Sequence, residues 1–388
     1  MIVLTRRRFL QLASAAALAP SSCVTPRTAA VRVNDVHSQL NETYVAAVRT
    51  PRSAEELREI VQRGGRSPIC IAGGRHAMGG QQFASNATLI DIRSMKSVLS
   101  FDEERGIVEV ESGIQWPELV SWLIDKQQGR QRQWGIAQKQ TGADRLTLAG
   151  SLAANAHGRG LTMKPIAGDV ESFTLINAAG DLLECSRSSN RELFALAIGG
   201  YGLFGPMASI RLRLRPRQKV ERVVEEQTID TVMNAMEQRI AAGYLYGDFQ
   251  FSIDDASADF LKRGVFSCYR PVPNETPIAE TQRELKPEDW GRLLFLAHAD
   301  KKRVYEQYVG YYLTTTGQVY WSDEHQMSFY ADDYHSAVDR ALGPDTRRGT
   351  EMITELYVPR TRLADFMSAA AEELRRRKAN VIYGTIRL

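Results

Sequence analysis

The sequence has few cysteines and histidines and almost no net charge, and each shortage excludes a class of protein. Four cysteines in 388 residues cannot form a disulfide scaffold, and none of them stands in a CxxC pair. The six histidines show no HxxxH spacing, so no metal site is predicted. A net charge of +3, from 49 basic and 46 acidic residues, is too small to indicate a nucleic-acid partner.

What the sequence does contain is typical of a globular protein of several domains. Hydrophobic residues make up 43% and charged residues 24%, which excludes a disordered, collagen-like or coiled-coil chain. At about 150 residues per domain, the length predicts two to three domains. No internal repeat or low-complexity segment is visible.

The N-terminal segment has the pattern of an export signal. Arg6-Arg7-Arg8-Phe9-Leu10 precedes an Ala-rich run that ends at Ala19, and no acidic residue occurs before Asp35. The run is too short to span a bilayer, and the paired arginines resemble a twin-arginine signal peptide, predicted over residues 1–30. Recognition by the twin-arginine export machinery would place the protein in the periplasm or another extracytoplasmic space. Lipidation of Cys23 would add a membrane anchor, and the alternative to a signal is a buried N-terminal helix.

Strand-like and helix-like segments then alternate up to residue 216, with glycines at the junctions. Ser53 and Glu56 form a predicted capping box at the start of one helix. Past a boundary placed near Pro216–Val220 the glycine clusters stop. The predicted strands are Tyr44–Val48, Ile69–Ala72, Leu89–Ile92, Ile107–Glu111, Asp169–Ala178, Leu182–Cys185, Met207–Arg215, Phe249–Ile253, Met352–Val358 and Val381–Arg387; the predicted helices are Ser53–Arg63, Trp116–Lys126, Arg191–Ile198 and Leu363–Lys378.

Three glycine clusters indicate a bound cofactor. They span Ala72–Gly80, Leu148–Gly158 and Gly199–Gly205. Backbone N–H groups can hold phosphates only where side chains do not block them, which requires glycine or small residues. The third cluster contains a GxGxxG pattern, but a predicted helix precedes it and a strand follows, so we reject a Rossmann fingerprint. Each cluster alone is more often a set of tight turns; three in one domain, two of them with a histidine, favour a cofactor.

Two of the clusters resemble the flavin loops of a known family. Gly73–Gln81 resembles the first flavin loop of the vanillyl-alcohol oxidase / p-cresol methylhydroxylase (PCMH-type) flavoproteins. Ala149–Gly158 resembles their second loop, most closely that of alditol and sugar-lactone oxidases. Val48–Leu57 is similar to the start of their FAD domain and Gly202–Gly205 to its end. The resemblance runs over about residues 45–215.

The resemblance implies an α+β fold with FAD as cofactor. We expect a PCMH-type FAD-binding domain of two α+β subdomains over residues 40–216. A mixed-sheet cap, or substrate domain, is expected over residues 217–388. Because the sequence stops at Arg387-Leu388, inside a predicted cap strand, we expect the cap to be incomplete and the fold truncated at the C-terminus.

The resemblance also assigns residues to the cofactor. Backbone amides of both loops would hold the pyrophosphate and the ring, whereas Pro206 has no N–H and could contribute only its carbonyl. His76 lies where several members carry a covalent bond to the flavin; the alternative is a hydrogen bond from His76 to a phosphate oxygen. His157 is interpreted as a positioning residue. The implied FAD contacts are Gly73, Gly74, Arg75, His76, Ala77, Met78, Gly142, Gly150, Ser151, Asn155, His157, Gly158, Gly205 and Pro206.

Two cap residues are candidates for catalysis. Thr354–Pro359 and Tyr383–Arg387 resemble the paired segments of sugar-lactone oxidases that bring a carboxylate and an arginine to the flavin. Glu355 would be a base or substrate anchor, and Arg387 would stabilise developing negative charge. The family usually has Glu where this chain has Thr385. The alternatives are a surface carboxylate and an arginine on a strand edge.

The expected function follows from the cofactor. We expect an FAD-dependent oxidoreductase that oxidises a CH–OH group of a small hydroxylated substrate, such as a polyol, sugar or lactone. Hydride would pass to flavin N5, and O2 would reoxidise the flavin. One alternative is a flavin dehydrogenase that passes electrons to a quinone or cytochrome. The other is a non-catalytic binding protein with a flavin fold.

Overall fold

The computed structural model describes residues 30–37, 39–64, 67–327, 343, 351 and 353–388. The predicted export signal, including Cys23, lies outside these residues apart from Ala30. The described helices are α1 Ala54–Gly64, α2 Trp116–Lys126, α3 Leu148–Ala153, α4 Arg191–Ala197, α5 Val232–Ala241, α6 Pro287–Ala299, α7 Lys301–Leu313 and α8 Leu363–Arg376. None of these is long and apolar enough to cross a membrane.

Seventeen strands are described, several of them only two or three residues long. They are β1 Val31–Val33, β2 Thr43–Val45, β3 Ala47–Arg49, β4 Ile69–Ala72, β5 Thr88–Asp91, β6 Val98–Asp102, β7 Ile107–Glu111, β8 Trp134–Gly135, β9 Val170–Ile176, β10 Leu182–Ser186, β11 Met207–Arg213, β12 Arg215–Pro216, β13 Lys219–Thr228, β14 Tyr246–Phe251, β15 Arg263–Val272, β16 Val319–Trp321 and β17 Thr385–Ile386.

The first sheet is a small parallel one, with strand order β3-β5-β4. The predicted single strand Tyr44–Val48 is two strands broken at Ala46, because β2 pairs with β1 while β3 pairs with β5. Helix α1 follows β3, and the Ser53 hydroxyl accepts from the Glu56 amide at 3.1 Å. The Glu56 carboxylate accepts from the amide of Arg52 at 2.8 Å, one residue before the cap. The predicted capping interaction is therefore present with its return bond shifted by one residue.

The second sheet is antiparallel, with strand order β10-β9-β11-β7-β6. Its inward side chains and those of α2, α3 and α4 form one apolar core within residues 57–214. Helix α4 ends before Gly199–Gly205 and β11 starts after it, so the rejection of a Rossmann fingerprint there is confirmed. The chain thus builds two α+β units before residue 216.

The third sheet belongs to the predicted cap and has strand order β16-β13-β15-β14-β17. The prediction of a mixed sheet was wrong for the described residues, since all four neighbouring pairs are antiparallel. Helix α5 connects β13 to β14, which run in the same direction, but β15 lies between them and pairs antiparallel with both. A helical connection here therefore does not create a parallel pair.

Two predicted cap strands differ from the structure. Residues 353–358 form no strand, and Met352 lies outside the described residues. Ile353, Leu356 and Tyr357 are exposed, so the apolar residues of this segment are not buried in a sheet. Within Val381–Arg387 only Thr385–Ile386 pairs, with Phe249 and Gln250 of β14.

The cap and the FAD-domain region meet through buried polar contacts. Arg217 Nη1 donates to Gln133 Oε1 at 3.1 Å, across the junction. Within the cap, Arg217 Nε lies 2.9 Å from Asp323 Oδ2, and these side chains are 7% and 1% exposed. The Lys139 amide donates to Gln326 Oε1 at 3.0 Å. Gly160 forms an isolated antiparallel bridge with Tyr246 of β14, so backbone pairing also links the two regions.

Candidate functional site

The first glycine loop, Gly73–Met78, leaves the end of the parallel strand β4. Four amides of this loop donate to no acceptor in the described part of the chain; they belong to Gly73, Gly74, Ala77 and Met78. All six loop residues are half-buried. Half-buried amides without a protein acceptor are suited to an anionic ligand. The oxygens of such a ligand would accept the hydrogen bonds that these amides cannot make to the protein.

The first loop packs directly on the second. A Cβ on Gly73 would overlap the Thr147 side chain, and one on Gly74 would overlap the Arg145 carbonyl. Only glycine permits this approach of one backbone to the other. Thr147 in turn caps α3, which begins the second loop, so the two loops form a single structural unit.

The N-terminal segment borders the first loop, which the sequence did not predict. The Val36 amide donates to the Arg75 carbonyl at 3.1 Å, and Asn41 Nδ2 donates to the Met78 carbonyl at 2.6 Å. His37 Nε2 lies 3.0 Å from His76 Nδ1. No spacing in the sequence indicates these contacts, because they join a short strand pair to a loop about forty residues later.

Arg75 places a positive charge at the base of the first glycine loop. It has a left-handed backbone, with φ of 59°, and its Nη2 lies 3.1 Å from Asp91 Oδ2 at the end of β5. Burial opposes ionisation of Asp91, but the hydrogen bonds and charge of Arg93, with Arg75, outweigh burial and lower the pKa of that carboxyl. Asp91 therefore stays ionised and holds both guanidinium groups in place.

The second loop differs from the prediction in how its amides are used. The Gly150 amide donates to Thr147 Oγ1 at 3.1 Å and the Ser151 amide to the Thr147 carbonyl at 2.9 Å. The Asn155 amide donates to the Leu152 carbonyl at 2.9 Å and the Gly158 amide to Gln138 Oε1 at 3.1 Å. Each of these four amides therefore already has a protein acceptor: Thr147 or α3 for Gly150, Ser151 and Asn155, and the Gln138 side chain for Gly158. Their contact with the cofactor stays a prediction.

Other atoms of the second loop remain available for a ligand. The Asn155 side chain has a buried Oδ1 with no partner in the described ranges, and its backbone is left-handed at φ 46°. The Ser151 hydroxyl is buried and accepts from Trp116 Nε1 at 3.1 Å, so it supports the loop from the core side. Contact from this loop to a cofactor would thus run through Asn155 and His157.

The remaining predicted contacts lie near these loops. Gly142 is exposed at a turn with φ of 82°. Two residues later Asp144 pairs with Lys139, whose side chain is fully buried; burial lowers the pKa of Lys139, although Asp144 opposes this. At Gly205 a Cβ would overlap the Ile176 carbonyl. The Pro206 carbonyl accepts from the Ile176 amide at 2.9 Å, so it is already used in the sheet.

Both catalytic candidates of the cap reach the predicted flavin segments. Glu355 Oε1 lies 2.5 Å from His157 Nε2, and His157 Nδ1 lies 3.0 Å from the Gly158 carbonyl. Arg387 Nη2 donates to the Thr141 hydroxyl, next to Gly142. Although residues 353–358 form no strand, Glu355 and Arg387 each contact a segment that carries a predicted FAD contact, His157 for Glu355 and the neighbour of Gly142 for Arg387.

Two sizeable cavities lie elsewhere. The larger, about 560 Å³, lies at α6 and α7 and is lined by residues such as Gln282, Leu293 and Tyr311. The smaller, about 210 Å³, is lined by polar residues of the second sheet, including Glu109 and Arg211. Neither cavity is lined by a predicted site residue. We therefore locate the candidate site from the hydrogen-bond donors of the glycine loops. In the described ranges no group of His, Cys, Asp or Glu is arranged to hold a metal ion.

The loop residues fit an FAD molecule. The glycines of the first loop leave no room for a Cβ, and its amides are unused by the protein. A backbone donor set of this kind suits a pyrophosphate. Gly73, Gly74, Ala77 and Met78 would hold the phosphates, and Asn155 and His157 would lie beside them.

Comparison with known proteins also indicates FAD as the cofactor. Residues 45–186 match the protein family described as FAD binding domain. L-gulonolactone oxidase of Bos taurus is 28% identical over 193 residues, which are 49% of this chain and 42% of that protein. Cytokinin dehydrogenase 7 of Oryza sativa subsp. japonica is 25% identical over 230 residues, covering 55% of this chain and 41% of that protein.

Among solved structures, berberine bridge enzyme from Eschscholzia californica aligns with a TM-score of 0.44 and 21% identity, over 57% of this chain and 45% of that one. The matched region spans about two fifths of the length of the curated relatives, 42% and 41% in the two cases above. FAD is confirmed as the predicted cofactor. The chain carries an FAD-binding domain over residues 45–186 and is similar to FAD-linked oxidases and dehydrogenases of the PCMH-type superfamily.

Proposed function

We propose that the protein oxidises a CH–OH group of a polyol, sugar or lactone. The observation that carries the proposal is the pair of contacts by which cap side chains reach the flavin segments, Glu355 to His157 and Arg387 to Thr141. A carboxylate–histidine pair and a guanidinium, set beside a hydride acceptor, are the groups that alcohol oxidation requires. The similarity to L-gulonolactone oxidase supports a lactone or sugar substrate.

Bound FAD would supply the hydride-accepting N5 position. His157 contacts two acceptors, the Gly158 carbonyl through Nδ1 and the Glu355 carboxylate through Nε2. The second contact needs a proton on His157 Nε2 or on Glu355, so the pair holds one proton that it can exchange with a substrate hydroxyl. Arg387 would stabilise negative charge on the substrate oxygen.

Anaerobic mixing tests the proposal. The purified, FAD-loaded protein is expected to lose its oxidised-flavin absorbance when sorbitol or L-gulono-1,4-lactone is added. Retained absorbance with every hydroxylated probe, in a protein whose flavin dithionite still reduces, would favour a non-catalytic FAD-binding protein. Glu221→Gln serves as a control, since Glu221 pairs with the exposed Arg270 and touches neither catalytic candidate.

The electron acceptor is proposed to be O2. Hydrogen peroxide formed in air in equal amount to the oxidised substrate would support an oxidase. Substrate oxidation that proceeds only with a quinone or cytochrome, and without peroxide, would establish the alternative dehydrogenase.

We further propose a covalent bond between His76 and the flavin. His37 contacts Nδ1 of the His76 ring, and Gly74 lies against the Cδ2–Nε2 edge, so the ring is held in one orientation. After acid precipitation the yellow colour is expected in the protein pellet. His76→Ala is expected to release it to the supernatant; release from the unmodified protein would contradict the bond.

Export by the twin-arginine route is also proposed, from the Arg6-Arg7-Arg8-Phe9-Leu10 motif. Cell fractionation is expected to find the protein outside the cytoplasm. Replacing Arg6 and Arg7 by Lys should retain it inside, and unchanged export of that variant would contradict the proposal.

A further inference from the structure

One face of the cap sheet carries polar side chains on three neighbouring strands. Asp248 of β14 lies opposite Ser267 of β15, and Gln250 of β14 lies opposite Thr385 of β17. Because residues two apart, and residues directly opposite, share a face, these four side chains lie on the same side of the sheet. Arg387 follows Thr385 by two residues and continues the row.

Five buried atoms at this place have no hydrogen-bond partner among the described residues. They are Asp248 Oδ1, Ser267 Oγ, Gln250 Oε1, Arg159 Nε and Arg387 Nε, and we call these five residues the polar cluster. Asp248 and Ser267 are each only 2% exposed. Buried polar atoms in folded proteins nearly always find a partner, so five without one in a single place indicate a ligand site.

Asp248 is at the centre of the cluster. Its Oδ2 accepts from Gln250 Nε2 at 3.1 Å and from the Thr385 hydroxyl at 3.5 Å. Its Oδ1 lies 3.9 Å from Arg159 Nη1, beyond hydrogen-bond distance. The carboxylate is therefore held by one oxygen and has the other oxygen available.

Two residues of the polar cluster, Arg159 and Arg387, lie next to the predicted flavin segments. Arg159 follows Gly158 directly, and its carbonyl accepts from the Gly247 amide of β14 at 2.8 Å. Arg387 donates to the Thr141 hydroxyl, beside Gly142. A substrate in contact with the cluster would therefore lie between the cap sheet and the segments that bind FAD.

The chemistry of the cluster selects the kind of ligand. We infer that the polar cluster binds a polyhydroxylated substrate, with Asp248 accepting from one of its hydroxyls. Arg159 and Arg387 donate to its oxygens, and Ser267 and Gln250 pair with further hydroxyls. An aromatic or aliphatic alcohol would leave these buried groups unpaired, which disfavours its binding. The inference rests on the proposed function and assigns the residues that would bind the hydroxyl groups of its substrate.

The test compares three probes and three variants of the FAD-loaded chain. Sorbitol, L-gulono-1,4-lactone and benzyl alcohol are each mixed anaerobically with the protein, and the concentration for half-maximal flavin bleaching is measured. Asp248→Asn is expected to raise that concentration about 10- to 100-fold for sorbitol or the lactone, because a hydrogen bond to a charged acceptor is lost. Ser267→Ala should raise it about two- to tenfold. Glu221→Gln on the opposite face should change it less than about twofold.

A second readout does not depend on turnover. With the flavin reduced by dithionite, saturating sorbitol or lactone is expected to raise the melting temperature of the wild-type protein, since ligands that bind only the folded state stabilise it. Asp248→Asn should lose most of that rise. A variant that melts earlier but keeps the rise and the half-maximal concentration would show a structural role for Asp248 and overturn the inference.

The probes separate the two possible failures. Bleaching by benzyl alcohol alone would overturn the inference and leave the proposed alcohol oxidation intact. Bleaching by sorbitol or the lactone that is unaffected in Asp248→Asn and Ser267→Ala would overturn the polar cluster as the binding site. No response to any probe, in either readout, would overturn both proposals.

Discussion

The first glycine loop and the polar cluster are built in different ways. The loop offers backbone amides, brought close to Thr147 by glycines, within six consecutive residues. The cluster offers side chains from distant parts of the chain: the paired strands β14 and β15, the end of β17 and the residue after the second loop. A backbone site can be recognised in a short motif, whereas a side-chain site exists only after the sheet has formed.

The largest expected effect concerns the buried ion pair of the cap that lies beside the junction. Arg217→Met should lower the free energy of unfolding by about 3–5 kcal/mol, because Asp323 would remain buried without its partner. Arg270→Met, which removes the exposed pair with Glu221, should cost at most about 1 kcal/mol. Urea unfolding of both variants measures the difference. Equal losses would show that the buried pair contributes no more to stability than the exposed pair.

A smaller effect is expected from a buried carboxylate on the FAD-domain side. Burial raises the pKa of Asp169 to about 6 from an ordinary value of 3.8, and Arg215 and Arg213 only partly oppose it. The folded state therefore holds this proton more tightly than the unfolded chain does. The contribution of Asp169 to stability must fall as pH rises from about 4 to about 6, by at most about 3 kcal/mol.

Asp169→Asn removes this titration. The variant should match the wild-type free energy of unfolding near about pH 4 and exceed it near about pH 8. Chemical unfolding across that range provides the measurement. A wild-type protein that gains stability relative to the variant as pH rises would contradict the assignment.

The smallest expected effect is a loss of FAD affinity on substitution in the first glycine loop. Gly73→Ala would push Thr147 and separate the two loops, weakening FAD binding roughly 10- to 100-fold. Gly291→Ala is the matched control, because Gly291 lies in α6 with open space around it. Its FAD affinity should not change, and α6 should gain up to about 1 kcal/mol. Titration of the FAD-free protein with FAD distinguishes the two, and equal affinities would show that the close approach is unnecessary.

The sequence predicted most of the FAD-domain region because its signals are local. Ile69–Ala72, Ile107–Glu111 and Trp116–Lys126 have the predicted bounds, since burial of one face repeats at the period of the element. The position of the first loop, directly after β4, followed from six residues. The sequence did not show that Thr147 caps α3 and accepts from the Gly150 and Ser151 amides, because that contact forms only in the folded chain.

The cap was predicted less well for a physical reason. Residues 353–358 contain β-branched and aromatic residues but find no partner strand, so the predicted strand does not form. Asp248 and Ser267 carry no motif, and their juxtaposition depends on the register of β14 with β15. His37 likewise meets His76 only through the N-terminal strand pair. Non-local pairing of this kind leaves no periodic signal in the sequence.

The crystal structure of the protein with FAD bound is the most direct test of the account. The pyrophosphate oxygens are predicted to lie about 2.7–3.2 Å from the amide nitrogens of Gly73, Gly74, Ala77 and Met78. The Asn155 side chain and the His157 ring are predicted to face the cofactor. A pyrophosphate held elsewhere, with these four amides paired to protein groups, would contradict the assignment of the site.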